Sequence, residues 1–271
     1  MNKYLCPDPN ERPLDNIPSD GGYFGIFRTV ACVGDSLSSG EMESTKPDGT
    51  KGYHDFYDYS WGQYIARMCG CKVYNFSAGG MTAKEYCNSF ADHHGYWNRE
   101  YAAQCYIIAL GVNDLIGRKM EVGSIDDVCM EDWRQNKDTY AGYYATIIQR
   151  YKEIQPDAKF FLMTMPYETA DETGAKCAIT DKQAELFYAL SSLFSNCYVL
   201  DLRKYAPDYS QEFRDTFFLG GHMSAMGYIY TARMVTAYID YIIRHNFEDF
   251  RQVSFIGTPY RNTTYDSEET K

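Results

Sequence analysis

No stretch of this 271-residue sequence approaches the roughly 18 apolar residues that a membrane span requires, although 45% of it is hydrophobic. The opening residues, Met1-Asn2-Lys3-Tyr4-Leu5-Cys6-Pro7, also lack the apolar core of a secretory signal. The expectation is a soluble, cytoplasmic protein. Positive charge is scarce as well. Against 37 Asp and Glu stand 26 Lys and Arg, a net charge of -11, and no Lys/Arg cluster offsets it locally. Such a chain repels phosphate backbones and anionic lipid, so neither nucleic acid nor membrane is an expected partner. The Gly-Lys-Ser/Thr ending of a phosphate loop and the Gly-x-Gly-x-x-Gly of a dinucleotide site are both missing, and no cofactor is implied. Zinc spacing is missing too: His93 and His94 are adjacent, and Cys69-Gly70-Cys71 has no second cysteine pair, so no metal is expected.

What is present points to one large domain able to bury a continuous core. The nine cysteines are odd in number, and Cys32, Cys105 and Cys197 lie in apolar, strand-like runs where a thiol packs as a small hydrophobe. They read as reduced. The 26 tyrosines are amphipathic residues equally suited to core, surface and interface.

Short apolar runs at 29–33, 72–76, 105–110, 159–164 and 197–200 read as five buried strands. Helical spacing falls between them, at 61–68, 82–90, 133–151, 181–194 and 224–243. Alternation of this kind predicts an α/β domain, a parallel sheet with helices on both faces. It is expected over residues 29–245, between an N-terminal arm of 1–28 and a C-terminal extension of 246–271. Tyr23, Phe24, Ile26 and Phe27 are the side chains expected to lay the arm on the domain, with 250–256 doing the same for the extension. Residues 41–50 read as a polar, turn-rich loop, either a gate or a plain connection. The aromatic loop from Gly52 to Trp61 is suited either to lining an acyl or sugar pocket or to packing on the body.

In open α/β sheets, ligands collect at the carboxyl ends of the strands. There the first strand runs into Gly34-Asp35-Ser36-Leu37, the second into Ser77-Ala78-Gly79-Gly80-Met81-Thr82, and the third into Gly111-Val112-Asn113-Asp114. A hydroxyl for attack, glycine-freed N–H groups and an amide side chain suit acyl transfer. A base follows in Gly220-Gly221-His222-Met223-Ser224, just before the last helix. Asp35 and Asp114 are assigned supporting roles as caps.

In their order and spacing these four blocks resemble the GDSL or SGNH hydrolases, over about residues 29–245. The resemblance implies a three-layer α/β/α sandwich of flavodoxin-like topology with a five-stranded parallel sheet. It further implies Ser36 as nucleophile, His222 as general base, and an oxyanion hole of the Ser36 N–H, the Gly80 N–H and the Asn113 amide. The family usually carries an Asp three residues before the histidine, but here that position is Leu219. A Ser-His dyad, or a triad completed from elsewhere, is therefore expected. Asp215 or a backbone carbonyl near Leu219 or Gly220 is available to hold the ring. The implied partner is a small-molecule ester, small or carbohydrate-borne in preference to a long-chain lipid. The rival reading, motivated by Leu219, is a noncatalytic ligand-binding protein that keeps the fold. An α/β-hydrolase is excluded because its Gly-x-Ser-x-Gly nucleophile follows a later strand.

Overall fold

The computed structural model describes residues 2, 4–6, 8–169 and 173–265. The ends of the expected arm and extension, at residues 1, 3, 7 and 266–271, lie outside the described residues. Five parallel strands form the central sheet: β1 (Thr29–Gly34), β4 (Lys72–Ser77), β5 (Cys105–Ala109), β6 (Lys159–Met163) and β7 (Cys197–Leu200), in the order β4-β1-β5-β6-β7. Alternate residues feed opposite faces. Ala31, Val33, Tyr106 and Ile108 pack with the helix Tyr140–Ile154, whereas Val30, Cys32, Cys105 and Ile107 pack with Trp61–Cys69 and Ala225–His245. The result is the three-layer sandwich expected of the parallel sheet.

Ser60, Thr139 and Ser224 cap those three helices by accepting from the N–H of Gln63, Gly142 and Gly227. The helical spacing at 133–151 overstated one element. Only a single short turn forms at Trp133–Gln135, and Asn136 spends its amide on Gly142 O, Thr146 Oγ1 and Gln149 Oε1 before Thr139 starts the helix. The helix expected over 82–90 is likewise interrupted, with a wide turn at Tyr86–Phe90 between Ala83–Glu85 and Ala91–His93.

Buried tyrosines supply polar ends as well as volume. Tyr144 accepts from Leu110 N at 3.0 Å and donates to Leu110 O at 2.7 Å, and Tyr140 donates to the same carbonyl at 2.8 Å. The end of β5 is thereby fixed where its backbone leaves the ladder. Phe24 and Phe27 of the arm, with Phe250, Val253 and Ile256 beyond the last helix, are buried on the Trp61 side of the sheet, while Tyr23 stays exposed.

Residues 41–55 are not a loop. Glu41–Thr45 (β2) and Lys51–Asp55 (β3) pair as an antiparallel hairpin, with Glu41 opposite Asp55 and Thr45 opposite Lys51. Only Glu43 of the two strands is buried. The hairpin therefore had no apolar alternation to reveal it, although Pro47-Asp48-Gly49 is a turn signal.

Candidate active site

Gly34 is in register with Ser77 of β4 and Ala109 of β5, so three polar turns leave the sheet at one level. The first is the short helical turn Ser36–Ser39, capped by Asp35, whose Oδ1 accepts from Leu37 N at 3.0 Å. Ser36 thus stands in a first turn, where N–H groups have no intrahelical acceptor. Burial, reinforced by the nearby Asp114 and Glu41 carboxylates, pushes Asp35 up to about 7, against the Leu37 N–H that favours its ionised form.

Asn113, in the turn after β5, reaches both of the others. Its Nδ2 donates to Met81 O at 3.1 Å and lies 3.5 Å from Asp35 Oδ2. One amide therefore ties the Gly80-Met81 turn to the residue before Ser36. Gly80 is exposed with φ +70°. Asp114 accepts from Ala83 N at 2.9 Å and fastens the third turn to the segment after the second; burial raises it to about 6. Gly111 has φ +146°, and a Cβ there would meet the Tyr140 hydroxyl at 2.7 Å and the Gln183 amide. Only glycine fits that turn.

The fourth block is a tight turn in which Phe218–Leu219 pairs with His222–Met223, Leu219 opposite His222. Ser36 and His222 line a single cavity of about 310 Å³, together with Leu37, Val112, Met163 and Tyr209. His222 Nε2 lies 3.0 Å from Glu41 Oε1, and Nδ1 lies 3.8 Å from Glu43 Oε2. Glu43 is buried, accepts from Gly221 N at 2.8 Å and pairs with Lys51 at 2.6 Å. These contacts, Lys51 first, hold its carboxyl below the usual carboxylate range.

Asp215, expected as one group available to hold the ring, is instead exposed on the helix Gln211–Phe217 and accepts from Gln211 Nε2 at 2.7 Å. An i, i+4 partner on its own helix captures it. The carboxylates beside His222 come instead from β2, in the segment read from sequence as a polar loop. Of the aromatic loop, Tyr53 stands edge-on to the imidazole with centroids 5.5 Å apart, while Phe56, Tyr57 and Tyr59 are each 47% exposed.

Residues 32–229 match the model of the GDSL-like Lipase/Acylhydrolase family. Among curated proteins no sequence matches the chain. Several solved structures share the fold. The carbohydrate esterase family 2 enzyme with a carbohydrate binding domain from Corynascus thermopiles (Myceliophthora fergusii) is 16% identical, with TM-score 0.56 over 86% of this chain and 69% of that one. A family two carbohydrate esterase from Clostridium thermocellum, in complex with cellohexaose, is 15% identical, with TM-score 0.53 over 80% and 64%. A possible lipase from Chitinophaga pinensis is 18% identical, with TM-score 0.51 over 80% and 98%.

Proposed function

The chain belongs to the GDSL-like lipase/acylhydrolase family, and from that premise we propose that it hydrolyses carboxylic esters with Ser36 as nucleophile and His222 as general base. One observation carries the reading: Ser36 and His222 share the wall of one cavity at the sheet edge where the Asn113 amide bridges the other two turns. Ser36 Oγ attacks the ester carbonyl as His222 Nε2 takes its proton. The imidazolium then returns that proton to the departing alcohol, and water releases the acyl group by the same steps. The oxyanion is received by the Ser36 N–H, the Gly80 N–H and Asn113. One amide hydrogen of Asn113 is engaged by Met81, and the other is only loosely held near Asp35.

A small or carbohydrate-borne acyl ester is the proposed substrate. The cavity is modest in volume, and two of the proteins sharing the fold are carbohydrate esterases. The noncatalytic reading draws support from one contact, the Glu41 carboxylate on the nitrogen that the serine proton needs.

A fluorophosphonate probe separates the two. Labelling of the parent chain, abolished in Ser36→Ala, with release of acetate from acetylated sugars, is the expected result. A folded parent that neither labels nor hydrolyses any short-chain ester or acetylated sugar would overturn the enzyme reading.

A further inference from the structure

The position that usually orients the histidine in this family is Leu219, which is half exposed and opposite His222 in the turn. We propose that Glu43, from the hairpin that follows the nucleophile, is the positioning acid for His222. The inference rests on the Ser-His reading for its role in turnover. In such a pair Nε2 must serve the serine, so an orienting group has to address Nδ1.

Nδ1 of His222 is buried and, among the described residues, has no hydrogen-bond partner; the carboxylate facing it is Glu43, 3.8 Å away. That separation is an ion-pair distance, longer than a hydrogen bond. At that distance the carboxylate charge still acts on an imidazolium. Glu43 is fixed for the task. It is buried, held by Lys51 and bonded to the N–H of Gly221, the residue immediately before the histidine.

The turn is shaped around this carboxylate. A Cβ on Gly220 would strike Glu43, and one on Gly221 would come within 3.2 Å of Oε2. Gly220 also has φ +71°, so the two glycines before His222 wrap an acid delivered from another part of the chain. Glu41 faces the opposite nitrogen and competes with Ser36 for Nε2, which makes it unsuited to the orienting role. Tyr53 and Lys51 of β3 also stand beside the ring and its acid, and Arg214, from the helix Gln211–Phe217, lines the same cavity and donates to Gly220 O at 3.4 Å.

Glu43→Gln preserves volume and removes the charge. Its kcat is expected to fall on the order of 10²- to 10⁴-fold with KM nearly unchanged. The acid limb of kcat/KM should move to lower pH, because an imidazolium without its carboxylate gives up the proton sooner. Glu43→Asp should recover part of both effects, which a merely structural role would not predict. Unchanged kcat and an unmoved acid limb in a folded Glu43→Gln chain would overturn the proposal.

A second measurement needs no turnover: the His222 C2–H resonance followed by NMR against pH. Its midpoint should fall in Glu43→Gln and, by less, in Glu43→Asp, the variant to use if the glutamine chain does not fold. An unmoved midpoint overturns the assignment of Glu43. Absence of labelling and hydrolysis in the parent would instead overturn the ester reading, and the titration would still decide the Glu43 contact.

Discussion

The Asn113 side-chain amide donates to the Met81 carbonyl at 3.1 Å, joining the turn after β5 to the turn after β4. The residue proposed to stabilise the oxyanion is thus also a strut, and the two roles have different costs. Loss of one oxyanion donor costs about 2.7–4 kcal/mol of transition-state stabilisation. A single neutral hydrogen bond to a carbonyl contributes only about 1 kcal/mol to folding. Asn113→Ala should therefore lower kcat on an acetyl ester by on the order of 10²- to 10³-fold while the melting temperature drops only a few degrees. Loss of activity matched by loss of folded protein would mean that Asn113 is structural alone.

Asp35 makes stability depend on pH in an unusual direction for a carboxylate. Its folded value, about 7, lies above the 3.8 of an ordinary Asp, so the folded state holds its proton more tightly than the unfolded state does. The associated stability is fully present below about pH 4 and is lost as pH rises through 7, over a range worth roughly 4 kcal/mol. Asn caps a helix as well as Asp does and carries no charge. Urea unfolding at pH 5 and pH 8 should show Asp35→Asn gaining on the parent as pH rises. A gap that stays constant between the two pH values would refute the burial argument.

The end of β5 tolerates little change. Gly111→Ala combines a positive φ with a Cβ against Tyr140 and Gln183, and should destabilise by about 2–4 kcal/mol. Tyr144→Phe leaves the Leu110 N–H without its partner and should cost about 1–3 kcal/mol. Denaturant midpoints measure both. A larger loss in Tyr144→Phe than in Gly111→Ala would show that the hydroxyl, rather than the turn, organises this corner.

The sheet was legible because β1, β5, β6 and β7 are largely buried and read as short apolar runs, while the edge strand β4 still buries Val73 and Phe76, and each strand is matched to within a residue or two. The turns were legible for the same reason, since polar residues follow directly where each run stops. The hairpin was not. Met42 is half-buried and Glu43 buried, but Glu43 goes inside by pairing with Lys51 and Gly221 rather than with apolar neighbours. A single acid buried by an exposed lysine and a backbone N–H has no periodic signature, and the carboxylates beside His222 lie far from it along the chain. Asp215 was the candidate within reach along the chain, and its own helix had already engaged it.

Arg244 anchors the N-terminal arm from the far end of the last helix. Its guanidinium meets Glu11 at 2.6 and 2.7 Å, Asp240 at 2.7 Å and the Leu5 carbonyl at 3.1 Å, and its side chain is almost wholly buried. Removing one partner of such a pair leaves a charge less well compensated, so Glu11→Gln should destabilise by about 1–3 kcal/mol. The helix Ala225–His245 begins beside His222 and, at 1.5 Å per residue, carries Arg244 about 30 Å away. Turnover by the folded variant should therefore match the parent, while amide hydrogen exchange speeds up along the arm from residue 8 to residue 17. Equal protection of the arm in both chains would assign its anchoring to Phe24 and Phe27, whose rings are buried against the sheet, instead of to the ion pair.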